Sequence, residues 1–189
     1  MKNNKFFSVK TAIIIFLIFM SVNFLINYSS FGISRLIEIT GGPSILDMEL
    51  MGYSSDRAYE VIGALGEEGR YFTLKYIAPL DIPFPICYGL FYFVTLTVIT
   101  KHLWKNIKRP WIVGIWGILG TVFDLSENIM VSKLLHSYPN RLDGVAKIAS
   151  LFTQLKTFFI VSSMCLIFVG LLIIIVKKFY SKKTAIKEF

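Results

Sequence analysis

Cysteine and histidine are scarce in this sequence, which has two residues of each among 189. Cys87 and Cys165 both lie inside long apolar runs, so we expect neither a structural disulfide nor a zinc–thiolate site. His102 and His136 are far apart and have no partner at the spacing of zinc ligands. The sequence contains no Ser-His-Asp arrangement, phosphate-binding loop or dinucleotide fingerprint. It therefore predicts no zinc site and no organic cofactor. Asp81, Asp124, Glu127 and Asn128 offer oxygen ligands suited to magnesium or calcium, but Lys156 in the same region opposes a bound cation, so no metal site is predicted.

Charged residues are also few, since 17% of the chain is charged and 54% is hydrophobic. That balance is too apolar for an ordinary soluble domain. Four stretches approach or exceed the roughly 20 apolar residues that cross a bilayer as a helix. They cover about 11–31, 80–100, 111–135 and 148–176. We therefore predict an all-α fold, a four-helix bundle that forms one integral membrane domain over residues 1–189.

Basic residues outnumber acidic ones by 20 to 12, but their distribution argues against nucleic acid as a partner. Most of them flank alternate ends of the spans: Lys2, Lys5, Lys10, Lys101, Lys105, Lys108, Arg109, Lys177, Lys178, Lys182, Lys183 and Lys187. The connection over residues 32–78 instead has four basic and seven acidic residues. This positive-inside pattern predicts a multi-pass protein of the cell membrane with both termini cytoplasmic. We expect the basic ends to contact anionic membrane lipids.

The first 31 residues begin with basic residues and continue into an apolar run, as a signal peptide does. The run is long, however, and no small-x-small cleavage site follows Ser29 and Ser30. We therefore expect an uncleaved first span.

The extracytoplasmic segment over residues 53–78 has the spacing of an amphipathic helix. Ser54 or Ser55 is suited to cap its start, and Gly66 or Gly69 to break it. Two alternatives remain for this segment. It lies at the lipid interface, or it covers the outer mouth of the bundle.

Three prolines crowd the start of the second span, in the sequence APLDIPFPICYGLFYF. Proline is tolerated in the first turn of a helix and disrupts later turns, so this span is expected to begin irregularly near Leu80. Asp81 lies within this stretch. It either caps the helix or belongs to a polar site.

The third span contains FDLSENIMVSK, which places Asp124, Glu127 and Asn128 within one helical turn. A rise of 1.5 Å per residue puts these residues at roughly 20–26 Å from the inner boundary. The same estimate puts Asn23 and Tyr88 at roughly 18–20 Å, and Asp81 and Lys156 at about 30 Å. These seven residues are therefore predicted to converge in the outer half of the bundle.

The spacing of Gly117, Gly120, Thr121 and Asp124 defines one face of the third span, with small residues below the carboxylates. Carboxylates inside a membrane must be paired, hydrated or protonated, and Lys156 is the best candidate partner. A salt bridge that only stabilises the fold is one interpretation. A functional site is the other, with Asp124 and Glu127 as general acid and base and the remaining five residues as ligand-binding groups.

The runs GYSSDRAYEVIGALGEEGRYF, LDIPFPICYGLFYF, FDLSEN and ASLFTQLK resemble a group of small bacterial four-span membrane proteins with no established activity. The resemblance covers roughly residues 50–160 and implies no catalytic role. The layout is also loosely similar to four-span bundles of the sterol-isomerase and sigma-2-receptor type. In that case only the span count and the acidic polar placement agree, so the likeness is architectural.

Three functions are compatible with these patterns. The first is an outward-facing acidic pocket within the membrane that binds or processes a lipid or another amphiphile. The second is proton- or cation-coupled transport; four spans per chain are few for a transporter, so a homo-oligomer is expected in that case. The third is a structural or accessory subunit that binds another membrane protein. The sequence does not decide between enzyme, receptor and transporter.

Overall fold

The computed structural model describes residues 6–42 and 45–187, with side chains up to Tyr180. Five basic residues of the predicted inner side lie outside the described residues or side chains: Lys2, Lys5, Lys182, Lys183 and Lys187. Every regular element in the described part of the chain is helical. Four helices are long and apolar enough to cross a membrane. The protein is therefore an all-α, multi-pass membrane four-helix bundle, and the predicted fold class is confirmed.

The helices are α1 (Val9–Tyr28), α2 (Ile33–Thr40), α3 (Ser55–Ala64), α4 (Gly66–Phe72), α5 (Ala78–Leu80), α6 (Pro83–Leu103), α7 (Trp111–Ser137) and α8 (Asp143–Lys187). A short 3-10 turn at Leu46–Met48 precedes α3, and a π-helical stretch at Thr73–Ile77 joins α4 to α5. α6, α7 and α8 pack against one another, and α1 packs on the outside of α6.

Close packing of α6 and α7 depends on the glycines of α7. A Cβ atom at Gly117 would lie 2.4 Å from the Cβ of Tyr92, and one at Gly114 would lie 2.6 Å from the carbonyl oxygen of Phe93. Between the same two helices, the Thr121 hydroxyl donates a 2.6 Å hydrogen bond to the carbonyl of Pro85. Small residues on the lower part of this face therefore let the helices approach, as the spacing predicts.

α8 is longer than the other helices, with 45 residues. At 1.5 Å per residue it measures about 67 Å and exceeds the thickness of a bilayer core. Its inward face carries small and polar residues at helical spacing; the buried ones are Ala146, Ala149, Ser150, Thr153, Lys156, Ser163 and Gly170. This composition leaves room inside the bundle for polar side chains from α6 and α7.

Residues 45–65 cover the end of the bundle opposite to the α6–α7 connection, which is the end that the sequence predicts to be extracytoplasmic, and we call this segment the outer cover. The Ser54 side chain caps α3 by accepting a hydrogen bond from the Arg57 N–H, one of the two caps expected from the sequence. Val61 and Ile62 of α3 are almost fully buried against a cluster that includes Leu134 of α7 and Ala146 of α8. The apolar face of α3 therefore packs on protein, which favours the cover over a helix lying in the lipid interface. The break expected at Gly66 or Gly69 occurs at Gly66, where φ is 64°.

The junction before α6 is irregular, as its prolines predict. α5 ends at Leu80, Asp81 and Ile82 form a turn, and α6 begins at Pro83. The residue that precedes α6 as its N-cap is Ile82, and no side chain caps the helix. The alternative in which Asp81 caps this span is therefore wrong. The turn instead directs the Asp81 side chain to Asn128 of α7.

Candidate functional site: a carboxylate cluster beneath the outer cover

Lys156 lies at the centre of the polar cluster in the outer half of the bundle. Its Nζ atom is 2.7 Å from Glu127 Oε2 and 3.6 Å from Asp124 Oδ1, and it also forms an ion pair with Asp47 of the outer cover. The side chain of Lys156 is 5% exposed. The pairing of Lys156 with the carboxylates of the third span is therefore confirmed, and a third carboxylate joins it from outside the spans.

The two carboxylates of α7 each have a second partner. The Tyr88 hydroxyl donates a 2.8 Å hydrogen bond to Asp124 Oδ2, and the Thr153 hydroxyl donates a 2.6 Å hydrogen bond to Glu127 Oε1. Asp124 and Glu127 are three residues apart and so point to the same side of α7. α6 and α8 thus each supply a hydroxyl group that orients one carboxylate.

Asp81 and Asn128 form the third part of the cluster. Asn128 Nδ2 donates a 2.9 Å hydrogen bond to Asp81 Oδ2. Asp47, Asp81 and Asp124 each place one carboxylate oxygen within 4.8 Å of the others. The cluster therefore contains four carboxylates, counting Glu127, and one lysine, which pairs with three of them. If all four were ionised, the site would carry three negative charges more than Lys156 balances.

A cavity of about 60 Å³ lies beside the cluster, between the outer cover and α7. Its polar lining is Asp47, Thr73, Asp81, Glu127, Asn128 and Ser132. Its apolar lining is Ile45, Leu46, Val61, Ile62, Leu65, Ile77, Ala78, Val131 and Leu135. A water molecule needs about 10–15 Å³ of such space, so the cavity has room for about four waters or a small polar group.

The outer cover is attached to the bundle by polar contacts at several points. The Tyr53 N–H donates a 2.8 Å hydrogen bond to Ser150 Oγ, and Arg141, between α7 and α8, pairs with Asp56 at 2.6 Å. Gly52 has φ 84°, and a Cβ there would lie 2.4 Å from the amide nitrogen of Gln154. Only glycine fits this left-handed position so close to α8.

Tyr53 is a second titratable group of the cover that lies near the cluster, and its hydroxyl oxygen is buried. Burial and the nearby negative charge of Glu127 raise the pKa of its hydroxyl above the ordinary value of tyrosine. On the exposed surface of the cover, the Glu49 carboxylate raises the pKa of the Arg57 guanidinium. The buried edge of the cover therefore favours an uncharged Tyr53, whereas ion pairs form on its exposed surface.

Six of the seven residues predicted for the site come together: Asp81, Tyr88, Asp124, Glu127, Asn128 and Lys156. Asn23 does not join them. It is half-buried on α1, and no hydrogen bond or ion pair among the described residues links its side chain to the cluster. Its depth along α1 was the basis for the prediction, but depth does not specify which way a side chain faces.

Asp47 and Thr153 complete the cluster, and the sequence alone did not identify Asp47. It lies in the segment ILDM between two helices, 109 residues away from Lys156. The available signal was an acidic residue flanked by apolar ones, Leu46 and Met48, which is unusual for a solvated loop. Thr153 was detectable from its position one helical turn before Lys156.

Comparisons with known proteins add no relative: no family model matches the chain, and neither curated proteins nor solved structures gave a match. The class of the protein therefore rests on its own fold and site. It is a multi-pass membrane four-helix bundle with a buried, lysine-centred carboxylate cluster under an extramembrane cover.

Proposed function

We propose that the protein binds the cationic end of a small amphiphile in the outer half of the membrane. The observation that carries this proposal is the cavity beside the cluster, whose lining combines the carboxylates of Asp47, Asp81 and Glu127 with aliphatic side chains. Glu127, Asp81 and Asn128 are the groups that would receive the charged end. Leu46, Ile62 and Leu65 would contact its apolar part.

The charge of the cluster supports a cationic ligand. The cluster has four carboxylates and one cation, Lys156, and intramembrane charges that lack a counter-ion are costly. A primary ammonium group supplies the missing positive charge and three hydrogen-bond donors. It is also small enough for a cavity of about 60 Å³. An anionic or neutral headgroup would bring no such compensation.

The apolar lining supports an amphiphile over an inorganic cation. Nine of the residues that line the cavity are aliphatic, from Ile45 to Leu135. A hydrated ion makes no favourable interaction with aliphatic side chains. A ligand with a longer tail requires the outer cover to move. Gly41 and Gly66 flank the cover with positive φ values, and a Cβ at either position would meet no atom within 4 Å, so both lie in open space suited to a hinge.

The two carboxylates of α7 have different parts in this proposal. Glu127 lines the cavity and is the group that would contact the ligand, or exchange a proton with it if the site is catalytic. Asp124 does not line the cavity, and it is held by Tyr88 and Lys156. We therefore infer that Asp124 acts through Lys156, as a positioning residue.

A second candidate, proton or cation transport, is favoured by one observation. Asp47 has a side chain that is 45% exposed, and its carboxylate lies within 4.8 Å of those of Asp81 and Asp124. The cluster thus connects a group at the outer surface with groups inside the bundle. Liposomes that contain the protein would test this directly. Tight vesicles under both a proton and a cation gradient would remove this candidate.

The test of the primary proposal uses three probes that share one tail: decylamine, decanol and decanoate. Native mass spectrometry would record which probe the purified protein retains in mild detergent, alone and beside Asp81→Asn and Glu127→Gln. Glu68→Gln is the matched control because Glu68 is an exposed carboxylate on α4 without an ion pair among the described residues. Asp81 makes no contact with Lys156, so its variant leaves the central ion pairs intact.

We expect the wild type and Glu68→Gln to retain decylamine in preference to the other two probes, and both cavity variants to lose that preference. Equal retention of all three probes, or unchanged decylamine retention in both cavity variants, would overturn the proposal. If both cavity variants retain decylamine as the wild type does but melt at a lower temperature, the cluster only stabilises the fold. That result would support the interpretation of the protein as an accessory subunit.

A further inference from the structure

A second, larger pocket lies at the opposite end of α6 from Asp81. It measures about 620 Å³, is open to the surface, and lies where α6 ends and α7 begins. Its lining consists of Thr100, Trp104, Lys105, Asn106, Ile107 and Val113. The amphiphile proposed above would occupy the outer cavity, so this inner pocket needs a separate explanation.

The surroundings of the inner pocket are basic, and the described side chains at this end of the bundle include no acidic one. No Asp or Glu occurs between Asp81 and Asp124, between Lys156 and Lys187, or before Glu38. Besides Lys105, the last turn of α6 and the connection to α7 carry Lys101, Lys108 and Arg109, which are all exposed. Within the described part of the chain none of these cations forms an ion pair. The pocket therefore lies in a field that attracts anions.

The apolar side of the pocket distinguishes a lipid from a dissolved anion. Trp104 is 58% exposed and Ile107 is 40% exposed, although both are large and apolar. Tryptophan beside lysine at the end of a membrane span is typical of the headgroup region of a bilayer. A free phosphate ion would contact Lys105 but would leave Trp104 and Ile107 facing water.

We propose that the inner pocket binds the phosphate-bearing headgroup of an anionic glycerophospholipid from the leaflet at the basic end of the bundle. Lys105 contacts the phosphate, Asn106 and Thr100 offer hydrogen bonds to it or to the glycerol esters, and Trp104 and Ile107 contact the upper part of the acyl chains. The nearby Lys101, Lys108 and Arg109 raise the local concentration of anionic lipid. The site is independent of the carboxylate cluster.

The first test measures lipid preference. The protein is extracted from bilayers of equal phosphatidylglycerol and phosphatidylcholine content, and native mass spectrometry gives the ratio of the two lipids that stay bound. One basic residue near a membrane surface contributes about a fivefold preference for anionic lipid. We therefore expect Lys105→Gln to lower the ratio about fivefold. Lys147→Gln is the matched control, since Lys147 is an exposed lysine near the start of α8, at the other end of the bundle, and we expect it to leave the ratio unchanged.

The second test locates the lipid. Brominated phosphatidylglycerol, present as a minor component in phosphatidylcholine bilayers, quenches the fluorescence of tryptophans that it contacts. The difference between the wild type and Trp104→Phe isolates the signal of Trp104, and we expect this signal to be quenched more by brominated phosphatidylglycerol than by brominated phosphatidylcholine at the same fraction.

Two results would overturn the proposal. The first is an equal lipid ratio in the wild type, Lys105→Gln and Lys147→Gln. The second is complete displacement of phosphatidylglycerol by inorganic phosphate, which would make the pocket a site for free phosphate.

Discussion

Lys156 Nζ lies 2.7 Å from Glu127 Oε2, and the two side chains are 5% and 0% exposed. An ion pair this deeply buried is costly to desolvate and is retained only when both charges find further partners. Here each charged group has further partners. Asp47 and Asp124 face the lysine, and Thr153 donates to the other oxygen of Glu127. The pair therefore links α7, α8 and the outer cover at one point.

Replacing Lys156 by Met should destabilise the protein strongly, because it leaves Glu127, Asp124 and Asp47 without their shared cation. Removing one partner of a buried ion pair typically costs about 3–5 kcal/mol. The melting temperature in detergent would measure this, with Lys147→Met as an exposed control. Adding Glu127→Gln to Lys156→Met should recover part of the loss. A cost no larger than that of the control would contradict the central role of the lysine.

Thr153→Val and Thr157→Val form a matched pair one helical turn apart on α8. The first removes the hydroxyl that donates to Glu127 Oε1, and leaving a buried polar group without its partner costs about 1–3 kcal/mol. The second removes a hydroxyl whose oxygen is buried with no hydrogen-bond partner among the described residues, so it should be neutral or slightly stabilising. Equal losses in thermal unfolding would show that the orientation of Glu127 does not matter.

Gly52→Ala should loosen the outer cover. Its φ of 84° is unfavourable for alanine, and the new Cβ would collide with Gln154 at 2.4 Å. Gly66→Ala is the control, because φ there is also positive, at 64°, but no atom lies within 4 Å of the added Cβ. Limited proteolysis of residues 45–65 should be faster in Gly52→Ala than in Gly66→Ala. Similar rates in both variants would mean that only backbone strain matters and that contact with α8 does not hold the cover.

Tyr53 should make stability depend on alkaline pH. Its pKa is raised in the folded protein, so its contribution is fully present below the ordinary tyrosine pKa of about 10 and is lost as the pH rises above that value. The loss occurs because the unfolded chain releases the tyrosine proton first. The measurement is the melting temperature of the wild type and of Tyr53→Phe between about pH 9 and about pH 11. The two curves should diverge only above about pH 10, where the melting temperature of the wild type should fall more. Parallel curves would argue against a buried Tyr53.

The sequence by itself determined the membrane-spanning architecture and the inward face of α7. Hydrophobic length alone specifies which segments cross a bilayer. Helical spacing places Asp124 and Glu127 on the face that also carries Gly117, and a lone lysine in an apolar helix indicates a carboxylate partner. These inferences need only local geometry and the cost of burying charge, so they hold before any packing is known.

Only the tertiary structure decided which residues complete the cluster. Asp47 reaches Lys156 from a connection 109 residues away, and no periodicity marks such a contact. Asn23 lies at a suitable depth but on α1, which packs on the outside of α6. Asp81 joins Asn128 because of the turn before Pro83, and its side chain does not cap α6. Depth along a helix is a property of the sequence, whereas the direction in which a side chain faces depends on how the helices pack.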